Sequence, residues 1–146
     1  MTKNIEMHHP VPQGKYVPST RFGQMIYTAG MTPRRDGILI QSGKVTADKP
    51  VHVFKEAVEQ AARNALTAAS NTLTEGESIA QILTLNVYIN AEEGFESHSR
   101  IADFASEYLY EQLGEAAIGS RAAIGVASLP GDAPVEIQLT AFVLKK

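Results

Sequence analysis

Near the C-terminus, the run SRAAIGVASLPGDAPVEIQL opens a strand-like stretch with an arginine and follows it with small residues. Side chains alternate along a strand, so Arg121, Ala123, Gly125 and Ala127 point one way. A guanidinium beside neighbours too small to cover it is a planar fork with open space next to it, suited to a carboxylate or phosphate. Glu136 lies near the start of the next strand, across the turn LPGDAP, and the pattern allows cross-strand proximity to Arg121. A glutamate there orients a water or shuttles a proton. The plainer reading pairs it with Arg121 as a simple ion pair, or leaves both as surface charges with the arginine stem lying on the sheet. Residue types alone leave both readings open.

Other candidates are more isolated. Tyr16 follows a Gly-Lys turn and either packs in the core or sets its hydroxyl at a cleft. In Thr28-Ala29-Gly30 the glycine lets backbone approach a ligand, or marks a bulge. Asp103 falls off the apolar stripe of a helix and reads as a solvated charge. The loop TPRRDG supplies two arginines, which either meet an anion or are ordinary loop solvation. His8 and His9 are adjacent with no third ligand at metal spacing, and His52 and His98 stand singly on helix surfaces. No glycine-rich nucleotide fingerprint is present. The sequence therefore predicts no metal and no dissociable cofactor.

The elements that must position these residues follow from periodicity. The stretch through Gly14, within an irregular N-terminal segment of about residues 1–13, is rich in proline and histidine. KYVPS and QMIYTAGM read as strands, and ILI between two turn signals as a short strand or ordered loop. Asp48 offers an N-cap with Pro50 in the first turn. Val51, Phe54, Val58, Ala61, Ala62, Ala65, Ala69 and Leu73 then recur at helical spacing, with Lys55, Glu59, Arg63 and Asn64 opposite. So many alanines imply close approach to a flat partner. Ile79, Leu83, Leu85, Val87 and Ile89 form one face of a strand. A second helix runs from about Gly94 to a C-cap at Gly114. Strands over Arg121–Ser128 and Val135–Leu144 close the chain.

This order predicts an α+β two-layer sandwich over 1–146: one mixed sheet with two helices on one face. The other sheet face has no helix to cover it, and its apolar residues predict oligomerisation. The 146 residues are 44% hydrophobic and 20% charged, with net charge −3 and no cysteine. That balance supplies no basic field for nucleic acid or membrane, and it excludes disulfide and thiolate chemistry. The N-terminus MTKNIEMHHPVPQGK has no apolar leader core and no long uncharged apolar run follows, so the expected compartment is cytoplasmic.

On SRAAIGVASLPGDAPVEIQLTAF and GKYVPSTRFGQMIYTAGMTP the chain resembles the RidA family (YjgF/YER057c/UK114, endoribonuclease L-PSP). The match runs from about Pro12 to the end and is nearest the branch with Ser-Arg-x-Ala-x-Gly-Val near its C-terminus. The resemblance implies a chorismate-mutase-like fold assembled as a homotrimer, with clefts at subunit interfaces. Archetypal members hydrolyse small 2-imino or enamino acids to 2-keto acids and ammonia there, without a cofactor. Arg121 would hold the substrate carboxylate and Glu136 would position the attacking water. Tyr16 and Gly30 match the family's tyrosine and strand glycine. Ala123 stands where archetypal members carry a cysteine, Ala29 where they carry a serine, and Asp103 where a helix asparagine is found. The carboxylate anchor is thus retained while several side-chain groups are absent. Beside imine hydrolysis stand a non-enzymatic metabolite-binding or regulatory trimer and, from the family label, an endoribonuclease. Acidic charge without interleaved aromatics disfavours the last.

Overall fold

The computed structural model describes residues 10–146. The expectations on His8, His9 and the start of the N-terminal segment lie outside the described residues. Residues 10–18 form no helix or strand, so the strand expected over KYVPS begins only at Ser19.

Five strands form the main sheet: β1 (Ser19–Phe22), β2 (Met25–Thr28), β5 (Glu77–Asn90), β6 (Ser120–Val126) and β7 (Val135–Lys145). Their order is β1-β2-β7-β5-β6, with β5 and β6 parallel and the other pairs antiparallel. A separate hairpin, β3 (Arg34–Arg35) with β4 (Ile38–Leu39), holds the ILI segment. Helices α1 (Lys55–Ser70) and α2 (His98–Leu113) lie on one face of the sheet. This is the expected two-layer α+β arrangement.

Small residues explain how closely α1 approaches. Ala57, Ala61, Ala62, Ala65, Ala68 and Ala69 are all buried, so no side-chain bulk keeps the helix off the strands. The helix start differs from expectation. A 3-10 turn, Val51–Phe54, precedes α1, Pro50 stands at its cap, and neither start has a side-chain cap. Asp48 instead accepts a hydrogen bond from Thr46 Oγ1 at 2.5 Å. Helix α2 starts at His98 rather than near Gly94 and ends with Gly114 as its C-cap.

The apolar face of β5 also departs from strict alternation. Ile79, Ile82, Leu85, Val87 and Ile89 are buried, whereas Leu83 is not. Register shifts between Ile79 and Gln81 and between Ile82 and Thr84 reverse which face a residue takes. On β7, Val135, Ile137, Leu139, Ala141 and Val143 face the helices and form the centre of the core. Fully burying each large aliphatic among them contributes roughly 1.5–3 kcal/mol before entropy is counted. The helix-free face is more mixed than the sequence implied. It carries Thr84, Asn86, Gln138 and Thr140 together with exposed Tyr27, Ile124 and Leu144.

The largest correction concerns the last two strands. The turn LPGDAP does not join neighbours, because β5 lies between β6 and β7. Arg121 pairs with Leu85 and shares its helix-facing side, whereas Glu136 pairs with Tyr88 on the opposite side. Within one chain, the expected proximity of Arg121 to Glu136 is not realised.

Candidate functional site

Arg121 is held by α2. Its Nη1 donates to Asp103 Oδ1 at 2.9 Å and Ser106 Oγ at 3.1 Å. Its Nη2 donates to Ser99 Oγ at 2.8 Å and to the Ser99 carbonyl at 3.4 Å. Asp103, read as a lone solvated charge, is therefore the ion-pair partner of Arg121. The small row beside the arginine has a packing cause. Ala123 packs on the core, and a Cβ at Gly125 would lie 2.6 Å from His98 Nε2. Small residues there let the first turn of α2 settle on β6. Neither the Arg121–Glu136 ion pair nor a pocket floor within this chain accounts for the row.

The other expected residues do converge. Tyr16, Ala29, Gly30 and Glu136 line a cavity of about 360 Å³ where the segment leading into β1 crosses the ends of β2 and β7. That size lies within the range of small-ligand sites. The backbone N–H of Ala29 donates to the Pro18 carbonyl at 2.8 Å, which fixes the crossing. Tyr16 is half exposed, and its hydroxyl accepts the Gln13 N–H at 3.1 Å. A methyl group at Gly30 would overlap Glu136 Oε2, so the missing side chain is what lets the carboxyl lie there. Burial raises the Glu136 carboxyl above its ordinary value, because the charged form loses hydration. Such a group gives and takes a proton more readily near neutrality than an exposed glutamate does.

Two further residues complete the cavity; the sequence puts one, Asn64, on the solvent face of its helix and leaves the other, Arg34, open. Asn64, assigned to the solvent face of α1, is only 7% exposed. Its Nδ2 donates to the carbonyls of Thr32 at 3.1 Å and Arg34 at 2.9 Å, while its Oδ1 accepts from Gln60 Nε2 at 2.9 Å. The available signal was an amide pair, Gln60 and Asn64, one turn apart on an alanine-rich helix. Arg34, for which the sequence leaves both anion binding and loop solvation open, lines the cavity and ties its own turn through Nη1 to the Gly37 carbonyl at 2.9 Å. The cavity thus joins a guanidinium, an amide and a carboxyl of raised pKa, a set able to hold a small anion and move a proton. Among the described residues, no group of three or more His, Cys, Asp or Glu side chains is placed to hold a metal. No helix among them is long and apolar enough to cross a membrane.

Residues 6–143 match the family model described as Endoribonuclease L-PSP. The crystal structure of the protein Atu1372 from Agrobacterium tumefaciens is similar, with TM-score 0.80 and 31% identity over 95% of this chain and 89% of that one. Protein TCP17 of Trypanosoma cruzi is 27% identical over 128 residues, covering 86% of this chain and 79% of that protein. The YjgF gene product of E. coli shares the fold at TM-score 0.63 and 24% identity, over 92% and 93% of the two chains.

Proposed function

The chain belongs to the endoribonuclease L-PSP family, and we propose that it hydrolyses a small 2-imino or enamino acid to the 2-keto acid and ammonia. The observation that carries this reading is Glu136, a carboxyl of raised pKa lying over Gly30 in a cavity of small-ligand size. Glu136 takes a proton from water as the oxygen adds to the imine carbon, and returns it to the nitrogen. The resulting carbinolamine collapses as Glu136 takes the hydroxyl proton and passes it to the amino nitrogen, so that the C–N bond breaks, ammonia leaves and the keto group forms. No electron acceptor is required.

Arg121 anchors the substrate carboxylate from a neighbouring copy. Arg121 and Glu136 of one chain lie on opposite faces of the sheet, so one ligand meets both only across an interface. The bonds to α2 hold the arginine in one pose but engage both terminal nitrogens. The substrate carboxylate therefore binds by displacing a weak or solvent-screened partner, the Ser99 carbonyl at 3.4 Å or Asp103. The helix-free face, with exposed Tyr27, Ile124 and Leu144, is the surface on which copies pack as a trimer.

Mixed assemblies test this arrangement. Arg121→Ala and Glu136→Gln should each abolish keto-acid formation from enzymatically generated 2-iminobutyrate. Co-expressed, the two variants should regain measurable activity, because some interfaces then carry both intact residues. Failure to regain it, with mixed assemblies confirmed by mass spectrometry, would reject an interface site. Ala29 gives the cavity no hydroxyl, which favours a second reading as a metabolite-binding trimer without turnover. That reading is supported if wild type binds 2-ketobutyrate yet forms keto acid no faster than buffer.

A further inference from the structure

The bond inventory of Arg34 is incomplete in a way that no other charged side chain among the described residues shares. Its Nε is buried and has no hydrogen-bond partner among the described residues. A buried guanidinium N–H left unpaired is costly, and native structures rarely tolerate one without a reason. The hairpin that carries it is fixed in place. Asn64 grips the backbone carbonyl of Arg34, and Arg34 Nη1 bonds the Gly37 carbonyl. Arg35, next in β3, donates through Nε to Gln60 Oε1 at 3.1 Å, which pins the hairpin to α1. No carboxylate of the described residues forms an ion pair with Arg34. Asp36 also lines the cavity and has an interaction of its own.

We infer that Arg34 is a second anion-binding group of the cavity, selecting substrates that carry a further carboxylate at the end remote from the 2-imino acid. The inference rests on the proposed reading that this cavity takes a 2-imino acid whose own carboxylate is held by Arg121 of a neighbouring copy. A substrate with an aliphatic end would leave Arg34 Nε buried and unpaired. One ending in a carboxylate supplies that acceptor, and a charge-assisted bond with it, once the guanidinium turns Nε out of the packing towards the cavity that the residue lines. Discrimination of this kind exceeds what an apolar pocket achieves by shape, because the wrong ligand leaves a buried polar group unsatisfied. The substrate class is therefore the imines of short acidic amino acids, and the reaction that supplies them is a two-electron oxidation of the amine of such an amino acid by an enzyme that carries its own electron acceptor.

Two keto acids of equal chain length provide the test. 2-Oxoglutarate and 2-oxopentanoate differ only in the distal carboxylate, so calorimetric titration of each reads Arg34 directly. Wild type should bind 2-oxoglutarate at least about tenfold more tightly. Arg34→Gln should bring that ratio close to one. Arg34→Lys should lower it as well, since a point charge does not reproduce the Nε donor. A wild-type ratio near one, no measurable binding of 2-oxoglutarate at millimolar concentration, or an unchanged ratio in every variant that melts cooperatively would each overturn the inference. A water molecule serving as the sole partner of Nε would produce the first of these results. Titration needs no turnover, so the two readings fail separately. Selectivity without imine hydrolysis counts against the proposed reaction alone, and hydrolysis without selectivity counts against Arg34 alone.

Discussion

Two regions of this molecule present an arginine beside residues without bulk, and they use the missing bulk differently. On β6, Arg121 spends both terminal nitrogens on α2, and the glycine four residues on makes room for His98. In the cavity, Arg34 keeps a buried donor unpaired, and Gly30 makes room for the carboxyl of Glu136. One glycine admits a helix and the other admits a titratable group. A small residue beside a charge therefore marks a close approach, and the site is found by asking what approaches.

The sharpest way to break this comparison is to add one methyl group to each glycine. Gly30→Ala forces Glu136 Oε2 away from its position, because a Cβ there overlaps it. Imine hydrolysis should fall about a hundredfold, the usual cost of displacing a catalytic group by about an ångström. Gly125→Ala meets the tip of His98, which can swing aside. Its hydrolysis rate should stay within about threefold of wild type, with any cost appearing as a small loss of stability. Equal activity losses in the two variants, measured as initial rates of keto-acid release, would erase the distinction.

Next in size is the stability carried by Arg121. Truncating it to alanine removes hydrogen bonds to Asp103, Ser106 and Ser99, and the link between β6 and α2 with them. The expected loss is about 1–2 kcal/mol in urea unfolding. The arginine side chain is 23% exposed and Asp103 is 53% exposed, so solvent screens the pair. A double-mutant cycle with Asp103→Ala should accordingly show only about 0.5–1 kcal/mol of coupling. No stability change in Arg121→Ala would show that the bonds to α2 carry no net energy in solution, and would remove the contrast with Arg34.

The sequence revealed the layers because their signals are periodic and local. The alanine stripe of α1, the C-cap at Gly114 and the alternation along β7 all sit where expected. Strand order was hidden: no local pattern says that β5 inserts between β6 and β7, so Glu136 was placed beside the wrong neighbour. The face of β5 was misread from Leu83 because bulges change alternation without changing composition. The cavity was half legible. Tyr16, Ala29, Gly30 and Glu136 were named from their types and the family resemblance, and they meet. The sequence assigns Asn64 to solvent and leaves Arg34 open, since burial of a polar side chain depends on a partner from a distant segment, here the β3–β4 hairpin against α1.

A third arginine supplies the reference for a charge whose task is structural alone. Arg21 on β1 grips Glu77 at the start of β5 with both nitrogens, at 2.6 and 2.7 Å, and also donates to the Thr72 carbonyl at 3.1 Å. The bonds from Arg21, and next the Thr74 N–H at 2.8 Å, lower the Glu77 carboxyl from 4.5 to about 2. The folded state thus favours the ionised carboxyl, so the pair's contribution is complete above the unfolded value of 4.5 and is lost as pH falls towards about 2. Glu77→Gln should melt below wild type at neutral pH, and the gap between their melting temperatures should close across that acid window. Hydrolysis and the 2-oxoglutarate preference should not change in this variant, because neither Arg21 nor Glu77 lines the cavity. A gap that stays constant down to pH 2 would mean that the amide loses shape complementarity rather than charge. In that case Arg21 would no longer serve as the standard for a fully paired arginine against which Arg34 is judged.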